Sequence, residues 1–311
     1  MSTAAKPETA DAAARGCVAC VGVFDGVHRG HQALIAFART RADLRGLPLV
    51  VVTFDPHPMS IVRPGSEPTV LATLEHRIEL LLEAGADEVA VLQFDTELAA
   101  TEPETFVEEL LVGRLGVREV VVGENFRFGH RARGTTQTLR AEGERLGFDV
   151  SVLPLVGSGE QRWSSTGTRR LVAAGDVAEA GAALGRHYRL DGVVVHGDHR
   201  GRELGFPTAN MQWTGSPTIP ADGVYAGWLN TSTERFPAAI SVGTNPQFDG
   251  RERRVEAYVL DRDDLDLYGQ SFSIEFADRI RGQETFADLD GLIARMSEDV
   301  AAARTLLGIS A

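Results

Sequence analysis

The apolar positions of residues 17–154 follow two alternating patterns. Unbroken apolar runs of strand length, such as CVACVGVF from Cys17 and LVVVTF from Leu49 to Phe54, alternate with longer stretches in which apolar residues return every three or four positions. The first pattern predicts strands buried on both faces, and the second predicts helices lying on them. On this reading strands cover 17–24, 49–54, 88–94, 118–122 and 149–154, and helices cover 31–45, 74–84, 103–115 and 135–146, with Gly85 closing the second helix. Alternation this regular predicts an α/β fold with a parallel sheet, and such sheets bind ligands beyond the carboxyl ends of their strands.

After about Gly185 the pattern changes to short β-rich runs, among them LDGVVVHGD, GVYAGWLN, PAAISVGTN, RRVEAYVLD and QSFSIEFAD, separated by Gly, Pro, Asn and Asp. Short strands with such punctuation predict a small antiparallel β-barrel. Phe286, Leu289, Leu292, Ile293, Met296 and Val300 carry helical spacing and predict a final helix over 285–307 lying on the core. The 311 residues therefore divide into a tail, 1–15, expected to be disordered, and two domains, 16–184 and 185–311.

The apolar runs fall well short of the roughly eighteen residues a membrane span needs. The N-terminal MSTAAKPETADAAARG has no apolar core of the kind a secretory signal carries, so a cytoplasmic protein without a membrane partner is expected. A net charge of -13 repels a phosphate backbone and argues against nucleic-acid partners. An anionic ligand must then be captured locally. Lys6 is the only lysine among 31 basic residues, which removes the P-loop lysine, the protein-kinase lysine and Schiff-base chemistry. Cys17 and Cys20 lie within a strand-like run, whereas a redox C-x-x-C sits where a strand gives way to a helix, so both are read as buried structural thiols. Oligomeric state is not legible in the chain.

The densest cluster of candidate chemistry is GVFDGVHRGHQALI, Gly22 to Ile35. Gly22 and Gly26 permit a tight turn at the end of the first strand, and His28 and His31 project from the same side of the following first helical turn. Spacing alone leaves two readings open. The histidines cap the helix and face water, or they join its free N–H groups in a cradle for a triphosphate. Zinc binding is the weaker reading, because no third ligand follows at metalloprotease spacing.

GVFDGVHRGHQ resembles the H-x-G-H signature of nucleotidylyltransferases, in the form found in the FMN adenylyltransferase module of prokaryotic bifunctional riboflavin kinase/FAD synthetases. The similarity continues in family order through TFDPHP (Thr53 to Pro58), VVGENFRFGHRARG (Val121 to Gly134) and SSTGTRRLVAAGDV (Ser164 to Val177). The resemblance implies a Rossmann-like domain in which the terminal phosphate of FMN attacks the α-phosphorus of ATP and pyrophosphate leaves. It implies that His28 and His31 stabilise the transition-state phosphate, and that Gly22, Phe24, Asp25 and Gly26 shape the ATP site. By the same resemblance Asn125, Arg127, Ser165, Thr166 and Arg169 close over nucleotide and phosphates. Asn125 stands where many relatives have aspartate, and Gly167 interrupts a run that many relatives spell STRIR.

HGDHRGRELGFPTANM (His196 to Met211) resembles the riboflavin kinase signature around G-x-P-T-A-N. Thr208 and Asn210 offer hard oxygen ligands suited to Mg2+, Pro207 fixes the backbone beside them, and Gly201 and Gly205 leave main chain bare for phosphate. Glu256 matches the family glutamate that accepts a proton from the ribityl hydroxyl of riboflavin, and PADGVYAGW adds Gly223 and Tyr225 as binding residues. The expectation is an enzyme that uses ATP and Mg2+ to convert riboflavin to FMN and FMN to FAD. Its alternatives are a kinase with a weak or inactive adenylyltransferase half, or a flavin- or nucleotide-binding regulator.

Overall fold

The first five strands are β1 (Cys17–Val21), β2 (Leu49–Asp55), β3 (Glu88–Gln93), β4 (Val117–Gly123) and β5 (Asp149–Leu153), and they pair in parallel in the order β3-β2-β1-β4-β5. All five residues of β1 are buried, as the unbroken apolar run requires of a central strand covered on both faces. The computed structural model describes residues 16–154, 157–158, 161–195, 206–244, 253–262, 265, 267–286 and 288–309. Contacts divide the chain into two compact units, 1–68 with 74–164 and 69–73 with 165–311.

In the first unit α1 (Arg29–Arg45) follows β1, α2 (Pro58–Val62) follows β2, and α3 (Leu74–Glu83) precedes β3. Helix α4 (Thr96–Ala100) and the single turn α5 (Pro103–Thr105) come next, with α5 continuing into wider π-turns over Phe106–Arg114, and α6 (Thr136–Leu146) precedes β5. Glycines in left-handed geometry stop α1 at Gly46 (φ 61°) and α6 at Gly147 (φ 80°). Helix α1 is keyed to the sheet by the fully buried Glu119 of β4, which accepts from Arg41 Nε and Arg45 Nε at 2.6 Å each and from Ser151 Oγ at 2.6 Å. Burial alone would push this carboxyl up; the bonds from Arg41, Ser151 and Arg45 outweigh it and hold the group below its usual 4.5. The rotation of α1, and so the direction of its N-terminal residues, is fixed by ionic contacts far down the same helix.

Two short strands, β6 (Gly157–Ser158) and β7 (Gln161–Arg162), pair antiparallel with each other. The second unit is built on β8 (Tyr188–Val195), β9 (Thr208–Gln212), β10 (Gly223–Asn230), β11 (Arg235–Thr244), β12 (Arg253–Val259) and β13 (Ser271–Gly282), closed as β10-β11-β12-β9-β8-β13. Tyr188, Tyr225, Leu229, Ile240, Ala257 and Phe276 belong to its buried interior. Helices α7 (Ser165–Ala174) and α8 (Val177–Leu184) cluster with this barrel. So do residues 69–73: Val70 N donates to Ser216 O and Thr218 N to Val70 O, both at 2.9 Å.

The last helix, α9 (Leu289–Leu307), starts later than its apolar spacing suggests, because Asp288 caps it by accepting from Gly291 N at 2.8 Å. Phe286 lies before it, Leu289 is 53% exposed, and the buried positions are Ala303 and Asp299. Asp299 meets Arg281 of β13 in a two-pronged pair at 2.8 and 2.9 Å, so α9 is oriented by a half-hidden charge pair as well as by its apolar stripe.

Candidate active site

Strand β1 sits where the order of the parallel sheet reverses, with β2 on one side and β4 on the other, and the chain leaves its carboxyl end through residues 22–28 into α1. A crevice at such a switch point is where open α/β sheets take ligands. The turn is backbone-strained. Phe24, Gly26 and Val27 have φ of 53°, 76° and 37°, and a β-branched residue in that region costs on the order of 1–3 kcal/mol.

Its carbonyls are held individually. Val23 O accepts from Thr53 Oγ1 at 2.9 Å and Arg77 Nη1 at 3.2 Å, Phe24 O from Val27 N at 3.1 Å, and Val27 O from Gln32 Nε2 at 2.9 Å. Gly22 lies beneath the Phe24 ring, whose edge faces His31 with centroids 5.2 Å apart. Phe24 and Asp25 are buried, so both shape the turn more than they present a surface.

His28 is the N-cap of α1, its Nδ1 accepting from His31 N at 3.4 Å. An imidazole whose Nδ1 accepts carries its proton on Nε2. The His31 ring stacks on His28 with centroids 3.6 Å apart, and its Nδ1 is buried without a hydrogen-bond partner. Burial, reinforced by His28, pushes His31 well below 6.5, so at neutral pH this ring is an uncharged imidazole. Two stacked imidazoles, one of them uncharged, a helix N-terminus and a strained glycine turn bring together groups of the kind that can hydrogen-bond a phosphate.

Gly30 explains the spacing between the histidines. A Cβ there would lie 3.0 Å from His28 Cε1 and 3.1 Å from Nδ1. Gly30→Ala is therefore expected to tilt the His28 ring and lower any activity of this site about tenfold, while the barrel unit keeps its own activity. Comparing initial rates of the two half-reactions in one preparation checks it.

Asn125 and Arg127 follow β4, the neighbour of β1, and both are exposed; Arg127 Nη1 donates to Phe126 O at 3.2 Å. In TFDPHP, His57 caps α2 by accepting from Met59 N at 3.1 Å. Ser165, Thr166 and Arg169 lie in the first two turns of α7, in the second unit, where Arg169 Nε donates to Thr69 O at 2.6 Å.

In the barrel, Glu256 pairs directly with Asn210 on one side and Ser241 on the other, and Tyr258 pairs with Thr208. Paired residues share a face. Because Val255, Ala257 and Val259 fill the interior, Thr208, Asn210, Ser241, Glu256 and Tyr258 form one outward row. The Thr208 hydroxyl donates to Glu256 Oε2 at 3.3 Å. Pro207 stands just before β9, half-buried. Gly201 and Gly205 lie outside the described residues.

Gly223 and Tyr225, expected as binding residues, lie on β10. Both are buried on β10; the Tyr225 ring meets Phe276 at 5.4 Å in the interior and its hydroxyl donates to Ala221 O at 2.5 Å. A Cβ on Gly223 would stand 2.4 Å from Arg281 O. Close strand approach at Gly223 and core packing at Tyr225 fix their positions. Ser241, Thr53 and Arg77 were not singled out by sequence reasoning, since only register or a turn's carbonyl contacts mark them.

Cys17 and Cys20 are buried thiols, and burial pushes Cys17 up to about 12 and Cys20 higher. Neither supplies a thiolate at neutral pH. Among the described residues, no group of three or more His, Cys, Asp or Glu is placed to hold a metal ion, and no helix is long and apolar enough to cross a membrane.

Residues 10–167 match the family model described as FAD synthetase, and residues 184–307 match the one described as riboflavin kinase. The bifunctional riboflavin kinase/FMN adenylyltransferase of Pseudomonas fluorescens is 37% identical over 298 residues, covering 96% of this chain and 95% of that one. The enzyme of the same description from Escherichia coli (strain K12) is 36% identical over 296 residues, covering 95% and 94%. A crystal structure from Streptococcus pneumoniae, described as a macrolide-efflux protein, is 31% identical, covers 93% of this chain and 94% of its own, and superposes with a TM-score of 0.84.

Proposed function

Because the chain belongs to the bifunctional riboflavin kinase/FMN adenylyltransferase family, we propose that its two reactions divide between the His28–His31 turn and the Glu256 row. The enzyme phosphorylates riboflavin with ATP to give FMN and transfers the adenylyl group of a second ATP to FMN, giving FAD and pyrophosphate. The assignment of residues rests most on the stacked pair of imidazoles at the N-terminus of α1, of which His31 is uncharged.

In the first half, 16–184, an FMN phosphate oxygen attacks the α-phosphorus of ATP as the bond to pyrophosphate breaks. His28 Nε2–H and the His31 ring donate to oxygens that gain charge during the attack, with the free N–H groups of α1 beside them. Gly22, Phe24, Asp25 and Gly26 keep the turn open to the nucleotide. Asn125 and Arg127 contact it from the β4 side.

In the second half, 185–311, Glu256 takes the proton of the ribityl hydroxyl as that oxygen attacks the γ-phosphorus of ATP and ADP leaves. Hydroxyl and amide oxygens on adjacent outward positions of one strand fit Mg2+, so Thr208 and Asn210 would hold it, with phosphate and water as remaining ligands. Mg2+ held there would supply neutralisation of the phosphate charge. The partners in this reading are small molecules, the net charge of -13 repels nucleic acid, and the enzyme works in the cytoplasm.

Incubating the protein with riboflavin, ATP and Mg2+ and resolving the products by chromatography tests the division. FMN is expected first and FAD after it. FMN that accumulates without FAD, even when supplied with fresh ATP, would leave the His28–His31 turn without its reaction.

A further inference from the structure

Arg77, in α3, is 5% exposed and forms a long ion pair with Asp55, whose Oδ1 lies 3.7 Å from Nη2. Its guanidinium is used on backbone. Nη1 donates to Val23 O at 3.2 Å and Nη2 to Phe54 O at 3.0 Å, while Nε is buried without a hydrogen-bond partner. Hiding a cation this deeply is costly, and burial lowers the affinity of Arg77 for its proton, although Asp25, Asp55 and Glu75 favour the charge.

The two carbonyls locate the reason. Val23 O immediately precedes Phe24, the first left-handed residue of the turn that leads to His28. Phe54 O lies near the end of β2, within TFDPHP. Thr53 Oγ1, fully buried, grips the same Val23 carbonyl at 2.9 Å, but it reaches only that one. A planar fork spans two carbonyls at a set separation and angle, which a single hydroxyl or the compact ammonium of lysine cannot do.

We propose that Arg77 is a positioning residue for adenylyl transfer: it clamps the carbonyls of Val23 and Phe54 together and so holds the strained Gly22–Val27 turn with His28 and His31 in reacting geometry. The proposal rests on the assignment of FMN adenylylation to those histidines. It follows that the strain at Phe24 and Val27 is retained in the folded chain by contacts from two other segments, β2 and α3.

The test uses the full-length enzyme with Arg77→Ala, Arg77→Lys and His28→Ala, measuring FAD formation from FMN and ATP beside riboflavin phosphorylation in each preparation. Arg77→Ala is expected to lower kcat for FAD formation about 10²-fold, with the KM for ATP changed by less than about threefold and phosphorylation unchanged. Added guanidinium ion is expected to restore part of kcat in Arg77→Ala and none in His28→Ala. Wild-type kcat in Arg77→Ala, or a defect confined to KM, overturns the proposal. Should Arg77→Ala fail to fold, Arg77→Lys decides: a folded Lys variant with wild-type kcat overturns the clamp, and one with reduced kcat and ordinary KM supports it. Normal FAD formation in His28→Ala would reject the site assignment itself, whereas an inactive His28→Ala beside a normal Arg77→Ala rejects only the role of Arg77.

Discussion

Replacing His28 and His31 together by alanine is expected to stop FAD formation while FMN continues to accumulate from riboflavin. Removing one preorganised hydrogen-bond donor from a transition-state site typically costs about 10²–10³ in rate. The two rings touch, and one caps the turn that carries the other, so their losses will not multiply as independent terms. The double variant should therefore fall by about 10³–10⁴ and no further. Time courses from riboflavin and ATP, resolved into FMN and FAD, separate this outcome from general damage. Loss of FMN formation in a double variant that still folds would sink the division into two sites.

The second large effect runs the other way. Glu256→Gln is expected to lower riboflavin phosphorylation by about 10²–10⁴ while supplied FMN is still converted to FAD. Glutamine keeps the shape of the side chain and an acceptor for the Thr208 hydroxyl, which in the parent donates to Glu256 at 3.3 Å. It removes only the capacity to take a proton. Full kinase activity in this variant would take Glu256 out of the mechanism, and an equal loss of both reactions would point to the fold instead.

The period of apolar residues was enough to read the parallel sheet, because a central strand such as β1 has no solvent-facing position to disguise it. The same was true of the barrel, whose turn residues punctuate every strand. The extent of α9 was harder to read: its start is set by the Asp288 cap and its seat by the Asp299–Arg281 pair, both invisible to apolar spacing. At the first site the histidines were legible as a motif, yet their chemistry depended on burial and stacking, which decide that His31 is uncharged. The inward direction of the Tyr225 ring is likewise set by the packing of the barrel and not by the motif that carries it. Arg77 carries no sequence signal of its own, since a guanidinium on two carbonyls looks like any arginine in an amphipathic helix.

The strand-like segment 69–73 has a consequence for dissecting the enzyme. Val70 O and Val70 N complete hydrogen bonds with Thr218 and Ser216, and the Thr69 hydroxyl meets the Thr218 hydroxyl at 2.7 Å. A kinase fragment cut from the chain at 165 or 185 would lack these partners and would be left with unpaired groups at Ser216 and Thr218, the latter 3% exposed. Gene boundaries drawn along the sequence thus do not coincide with the boundaries of the fold. For this protein, single substitutions that silence one reaction in the intact chain are the sounder way to separate the two.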